Sequence, residues 1–168
     1  MKRWIFPFIV IILTAFIGLF YYLYMEIKEP LQSKQAHITQ VALSETDLDS
    51  VKQVDFYHGR RSFQVIEGKD SNGEDMFVWI EELINENEGN TEPQIITRYK
   101  SEGITIGEVR SIVQSRLSIT QLKSIKLGII GNTPIYEVIY IDDANRHSFY
   151  YLTFEDGEYI RHYQFQRS

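Results

Sequence analysis

The stretches SFQVIEGKDSNGEDMFVWI (residues 62–80) and IYEVIYIDDANRHSFYYLT (residues 135–153) decide the fold, because they follow one pattern. Laid over each other without gaps at an offset of 73, they place Asp70 on Asp143 and apolar residues on apolar residues on either side. Asp and Asn satisfy turn backbone with their side chains and tolerate left-handed geometry. Each stretch therefore predicts a strand, a turn and a second strand, and together they predict an internal duplication.

The duplication continues upstream at an offset of 71, where VKQV (51–54) matches LKSI (122–125). One helix is predicted before each set of strands, from about residue 31 to 43 and over residues 105–117. The second begins with a capping box, TIGE. We therefore expect an α+β protein in which each copy packs one helix on an antiparallel meander, with copies at 25–100 and 101–168. The predicted strands are 51–57, 62–68, 75–81 and 94–99 in the first copy, and 122–129, 134–142, 147–155 and 158–165 in the second.

Residues 4–24, WIFPFIVIILTAFIGLFYYLY, contain no charged residue. As a helix that rises about 1.5 Å per residue, this run is long enough to cross the bilayer core. Lys2 and Arg3 precede it, so the positive-inside rule places residues 1–3 in the cytoplasm and the rest of the chain outside the cell membrane. A cleaved signal peptide is the alternative, but the run lacks an Ala-x-Ala exit. The sequence predicts an uncleaved single-pass anchor.

The region after the predicted anchor is acidic. Once Lys2 and Arg3 are set aside from the 17 basic residues, 15 remain against 23 acidic ones, which gives a formal charge of −8. Nucleic-acid binders carry clustered basic residues, so nucleic acid is not an expected partner. The chain has no cysteine, which excludes disulfides and thiol chemistry. The region must therefore depend on an apolar core, to which its aromatic residues contribute.

The stretch YIDDANRHSFYYLTFEDGEY (140–159) contains five acidic residues and a histidine, as an active site or metal site would. We interpret its acids as turn residues: residues 142–145 form one turn, and Asp156-Gly157 predicts a two-residue hairpin. The acidic segment 81–92 is expected to be a solvated loop between the third and fourth strands.

The histidines support a metal site only weakly, because the sequence contains no His-Glu-x-x-His or other close ligand pair. His147 and His162 lie on the last two predicted strands, and an approach across that hairpin would allow an adventitious metal site. No nucleophile motif or phosphate-binding glycine loop occurs. The sequence therefore predicts no catalytic, cofactor-binding or metal-binding residue, and no enzymatic activity.

Apolar residues occupy both faces of the central strands, in MFVWI (76–80) and in SFYYLTF (148–154). A sheet with one face on a helix and the other in water should alternate apolar with polar residues. The second face must therefore be covered, either by the other copy or by a partner protein. Because aromatic residues make good interface anchors, four are predicted partner contacts: Tyr57, Trp79, Tyr151 and Tyr163.

After its anchor, the chain resembles the TseB-like, YpmB-type cell-wall elongation regulators of Gram-positive bacteria. The resemblance rests on ETDLDSVKQV (45–54), FQVIEGKDSNGEDMFVWI (63–80), the helix from Thr105, YEVIYID (136–142) and YYLTFEDGEYI (150–160). It implies two tandem cystatin-like, PepSY-related units outside the membrane, with no catalytic residues and no cofactor. It also implies binding to an elongation-specific penicillin-binding transpeptidase or another wall-synthesis protein. The PepSY relationship leaves an alternative, an inhibitor or chaperone of an extracytoplasmic protease.

Overall fold

The computed structural model describes residues 5–82 and 93–167, and in the first helix it describes the side chains of residues 12–24 and 35–45. The chain divides into two units, Met1–Gln40 and Val41–Ser168. Helix α1 (Ile5–Glu45) is continuous, so the predicted start of a separate helix at residue 31 is wrong. Residue 4 and the side chains of 5–11 in the predicted anchor, and residues 83–92 of the acidic segment, lie outside the described part.

No helix in the described ranges is both long and apolar enough to cross a membrane. The anchor over residues 4–24 therefore stays a prediction.

The second unit contains the predicted strands and the second helix. Within the described residues, the strands are β1 (Leu48–His58), β2 (Ser62–Asp70), β3 (Asp75–Glu81), β4 (Ile95–Tyr99), β5 (Ile119–Ile130), β6 (Thr133–Asp142), β7 (Arg146–Thr153) and β8 (Tyr159–Gln166), and the helix is α2 (Ile106–Arg116). The strands form two four-stranded antiparallel meanders, β1-β2-β3-β4 and β5-β6-β7-β8. The predicted α+β class with antiparallel meanders is confirmed.

Matching irregularities in β1 and β5 support the duplication. The pairing of β1 with β2 shifts register between Leu48 and Ser50 and again between Val51 and Gln53. The pairing of β5 with β6 shifts at positions 71 residues later, between Ile119 and Gln121 and between Leu122 and Ser124. Because a β-bulge bends a strand at a defined position, its recurrence indicates that the two sheets share one backbone plan.

The offset of 73 between the central strands is wrong by one residue. Val65 pairs with Trp79, and the corresponding pair in the second sheet is Glu137 with Tyr151, an offset of 72. A one-residue slip moves every side chain to the opposite face, so the correction decides which residues are equivalent. The offset of 73 superposes identical Asp and Asn residues, but these are not at equivalent positions of the turn. The left-handed turn position is Gly73 (φ 83°) in the first copy and Asn145 (φ 58°) in the second.

The two faces of the first sheet are both buried. Phe63, Val65, Phe77 and Trp79 point to one face and belong to a core cluster that includes residues of the second sheet. Strand β5 contacts β1 and β2, so the second copy covers this face. For the first sheet, this confirms the first of the two explanations for an apolar second face, namely cover by the other copy. The opposite face is also buried; it presents Ile66, Met76, Val78 and Ile80.

Helix α2 begins as the sequence predicts. Thr105 Oγ1 accepts a hydrogen bond from the Glu108 N–H at 3.2 Å, and the Thr105 N–H donates to Glu108 Oε2 at 2.7 Å. These reciprocal bonds satisfy two of the amide groups that a helix start leaves open. Val109 and Val113, one turn apart, are fully buried in the core cluster. The helix thus packs on the sheets through this pair of valines.

Candidate partner-binding surface

Burial separates the four predicted partner contacts. Tyr57, Trp79 and Tyr151 are 3%, 0% and 7% exposed, whereas Tyr163 is 45% exposed. The first three lie in the core cluster between the sheets, so they stabilise the fold instead of presenting a contact surface. The alternation of the sequence places them on apolar strand faces. It does not show which of those faces the other copy covers. The contact role of Tyr163 stays a prediction.

Tyr57 packs against the second sheet at a glycine. A Cβ atom on Gly128 would lie 2.4 Å from Tyr57 Cε2 and 2.5 Å from Cζ, so only glycine allows this approach. Burial raises the pKa of Tyr57 to about 12, with the nearby Glu137 carboxylate adding to the effect and Arg161 opposing it. The ring of Tyr57 therefore joins the first hairpin to the second sheet in its neutral form.

Phe154 makes the second junction between the sheets. Its ring centroid lies 6.0 Å from those of Phe77 and Trp79 and 5.8 Å from that of Tyr136. The edge-to-face arrangement with the two residues of the first sheet is a favourable aromatic geometry. The Tyr136 hydroxyl donates to the Ile104 carbonyl at 2.5 Å, which fixes the segment before α2 on the same cluster.

The last two strands present an aromatic surface to solvent, which we call the open aromatic face: His147, Phe149, Tyr163 and Phe165. The Phe149 ring lies 5.0 Å from that of His147 and 5.9 Å from that of Phe165. Phe165 is 57% exposed. The sheet order makes β8 an edge strand. Large exposed aromatics on an edge are typical of a contact surface.

Sequence reasoning selected Tyr163 but missed Phe165 and Phe149. The signal was present in YIRHYQFQ (159–166), where Tyr163 and Phe165 alternate with Gln side chains along one strand. Alternation predicts that the two aromatics share a face, but only the packing of the first copy shows that this face stays uncovered.

The acids of residues 140–159 form turns, as predicted. Asp142 Oδ1 accepts from the Arg146 N–H at 2.8 Å, and Oδ2 accepts from Arg146 Nε at 2.7 Å and from Gln164 Nε2 at 3.0 Å. Asp70 accepts from the N–H groups of Asn72 and Glu74 in the equivalent turn. Burial acts to raise the pKa of Asp142, but the hydrogen bonds from Arg146 outweigh it and the pKa is lowered.

Asp142→Asn is expected to make folding less sensitive to acid. Because the pKa of Asp142 is lowered in the folded state, its stabilisation is present above the unfolded pKa of about 3.9 and is lost as pH falls through the folded value. The urea midpoint should be lower than wild type at pH 7 and should fall less between pH 7 and pH 3. Asp143→Asn, at an exposed neighbour, serves as the control and should behave as wild type. Equal acid sensitivity of Asp142→Asn and wild type would contradict this role.

The two-residue hairpin predicted at Asp156-Gly157 is wrong in length. Strand β7 ends at Thr153 and β8 begins at Tyr159, so residues 154–158 make the connection. The longer turn lets Phe154 enter the core, and Gly157 adopts a φ of 68°. Asp156 does act in the turn, because its Oδ1 accepts from the Glu158 N–H at 3.2 Å.

The histidines do not meet. His147 pairs with Phe165 and His162 pairs with Tyr150, so the two side chains point to opposite faces of the sheet. His162 Nε2 is 2.9 Å from the Tyr140 hydroxyl, and burial lowers the pKa of His162. In the part of the chain that is described, no group of three or more acids and histidines is arranged to hold a metal ion.

The fold and surface define a class, a duplicated antiparallel α+β protein with an exposed aromatic edge. A family model, the cell wall elongation regulator TseB-like domain, matches residues 39–81. A curated relative, the probable cell wall elongation regulator TseB of Bacillus subtilis (strain 168), is 27% identical over 120 residues, which is 71% of this chain and 70% of that protein. The solved structure of the YpmB protein from Bacillus subtilis matches with a TM-score of 0.65 and 25% identity, over 75% of this chain and 93% of that one. In sequence and in fold, the chain is thus similar to proteins of the TseB/YpmB type.

Proposed function

We propose that this chain is a non-catalytic, membrane-anchored regulator of cell-wall elongation. Its two copies, as tandem cystatin-like units outside the membrane, bind an elongation-specific penicillin-binding transpeptidase. Support for the wall-elongation role comes from the relatives, whose names state it. Support for the anchor comes from the uncharged run over residues 4–24, whose described side chains include exposed apolar residues such as Phe16 and Phe20.

The open aromatic face is the observation that carries the binding proposal. Tyr163 and Phe165 are exposed on an edge strand, and the Tyr151 and Tyr163 rings lie 6.0 Å apart, which connects the face to the core. An aromatic side chain held by a rigid sheet loses little conformational freedom on binding and contributes a large apolar area. An anchor would keep this face close to other membrane proteins and raise its effective concentration, so a modest contact area suffices.

Photo-crosslinking in living cells tests the proposal. A photoreactive amino acid at position 165 of the full chain is expected to capture a penicillin-binding transpeptidase, identified by mass spectrometry. The same amino acid at position 56 is the matched control, because Phe56 is also an exposed phenylalanine of an edge strand, at 51%. Capture should be low there, since Phe56 lies outside the open aromatic face.

Substitutions complete the test. For this test the photoreactive amino acid is placed on β7, so that positions 163 and 165 can be substituted. The double substitution Tyr163→Ala with Phe165→Ala should then lower the crosslinking yield by about tenfold, the effect of losing ~1.4 kcal/mol of binding free energy. The same double variant should change the length of the cells, while Phe56→Ala should change neither the crosslinking yield nor the cell length. Capture of no wall-synthesis protein from position 165, or capture that is equal from position 56, would refute the proposed contact.

A further inference from the structure

The tips of the two long hairpins enclose a cavity of about 560 Å³. One tip is the β1–β2 turn of the first copy, and the other is the β5–β6 turn of the second. Strand β8 closes one side through Arg161. We call this space the arginine cavity. Its lining combines three guanidinium groups, those of Arg60, Arg61 and Arg161, with an apolar wall formed by Tyr57, Phe63 and Ile129.

One of the three arginines has its charge compensated. Arg61 Nη1 donates to both carboxylate oxygens of Glu81 at 3.0 Å, and Nη2 donates to Gln94 Oε1 at 2.6 Å and to the Gly131 carbonyl at 3.2 Å. Arg61 thus ties the first hairpin tip to the second. It fixes one side of the cavity rather than providing a free cation.

Arg161 is held in place by aromatic rings, and no carboxylate of the described residues forms an ion pair with it. Its guanidinium carbon lies 4.7 Å from the Tyr151 ring centroid and 5.3 Å from that of Tyr163. Its Nε is buried and has no hydrogen-bond partner among the described residues. Glu137 pairs with Tyr151, which in turn pairs with Arg161 on the next strand. The Glu137 carboxylate accepts a hydrogen bond from the Tyr151 hydroxyl at 2.8 Å and not from Arg161. Stacking between two rings orients the planar guanidinium before any ligand arrives.

Arg60 adds a second uncompensated charge. It is exposed in the β1–β2 turn, and no carboxylate in the described ranges pairs with it. Arg60 and Arg161 thus place two guanidinium groups beside one cavity, each without a carboxylate partner in the described ranges, in a region whose formal charge is −8. The low-dielectric walls strengthen their attraction for an anion.

We propose that the arginine cavity binds a carboxylate that carries an apolar group. Arg161 and Arg60 pair with the carboxylate, and Tyr57, Phe63 and Ile129 contact the apolar part. The two nitrogens of a guanidinium fork match the two oxygens of a carboxylate in a bidentate geometry. The volume suits a small molecule or one or two side chains. The carboxylate can come from a free small molecule or from an acidic segment of a protein, and the site does not depend on the proposed wall-elongation role.

Side-chain NMR of the full chain in detergent micelles tests the cavity. With ¹⁵N-labelled arginine, titration with benzoate is expected to shift the Nε–H resonance of Arg161 to saturation. Followed through the Nε–H resonance of Arg60, which also lines the cavity, Arg161→Gln should weaken benzoate binding at least about tenfold, as loss of a charge-assisted pair requires. Arg110→Gln is the matched control, because Arg110 is an exposed arginine on α2 away from the cavity; its affinity should equal wild type.

Arg60→Gln guards against a folding effect of Arg161→Gln, since Arg60 is exposed and stacks on no described ring. It should weaken benzoate binding several-fold with an unchanged circular dichroism spectrum. An acidic peptide, acetyl-Phe-Glu-Leu-amide, distinguishes the sources: tighter binding than benzoate supports a protein carboxylate, and weaker binding supports a free one. Absence of saturable shifts, equal losses in Arg161→Gln and Arg110→Gln, or tighter binding of inorganic phosphate than of benzoate would overturn the proposal.

Discussion

The substitution Phe154→Ala is expected to lower the free energy of unfolding by about 3–5 kcal/mol, the usual cost of removing a buried phenylalanine. The Phe154 ring is almost completely buried and contacts Phe77 and Trp79 of the first sheet and Tyr136 of the second. Its loss would leave a cavity at the junction of the sheets, where neither sheet alone can collapse to fill it.

Urea unfolding of the full chain in micelles, followed by tryptophan fluorescence, measures this effect because Trp79 lies beside Phe154. Phe165→Ala is the control, since it removes the same atoms from an exposed site; it should cost less than about 1 kcal/mol. Because both sheets share one core cluster, a single transition is expected for wild type. A loss below about 1 kcal/mol for Phe154→Ala would show that Phe154 does not join the sheets.

The second large effect is expected for Gly128→Ala, at about 1–3 kcal/mol of destabilisation. The added methyl group would lie 2.4 Å from Tyr57 Cε2, so the buried Tyr57 ring must leave its position against the second sheet. The methyl group itself is small, so the cost comes from displacing the ring. Thermal unfolding of the full chain, followed by circular dichroism, measures it.

Gly107→Ala is the control for the glycine substitution. At that position the nearest atom to the added Cβ is Thr105 Oγ1 at 3.7 Å, an ordinary contact, and alanine favours the helix. The variant should therefore be as stable as wild type or slightly more stable. In a Tyr57→Ala background, Gly128→Ala should cost much less, because the ring that it would displace is gone. An equal cost in both backgrounds would show that the strain arises elsewhere.

Much of the fold could be predicted because local chemistry determines it. Thr105 and Glu108 start α2 through side chain to backbone bonds, and the predicted strands match the observed ones within a few residues. The sequence-based predictions were wrong where contacts between residues far apart in the sequence determine the structure. Phe154 enters the core and lengthens a turn that Asp156-Gly157 alone would make short, and shared Asp and Asn letters moved the alignment by one residue.

The candidate site was harder to predict, because exposure is a property of the assembled fold. Trp79 and Tyr163 are both aromatic residues on apolar strand faces, and nothing in their immediate neighbours states that the first is buried and the second exposed. The arginine cavity has the same origin: Arg60 and Arg161 are about a hundred residues apart, and the hairpins bring them together.

The corrected register has one more consequence. Phe77 and Trp79 of the first copy correspond to Phe149 and Tyr151 of the second, so the duplication created two equivalent faces. The first face is filled by the second copy, whereas Tyr163 and Phe165 beside the second face are exposed. Another molecule that docks on the open aromatic face would therefore take, on the second sheet, the position that the second copy takes on the first.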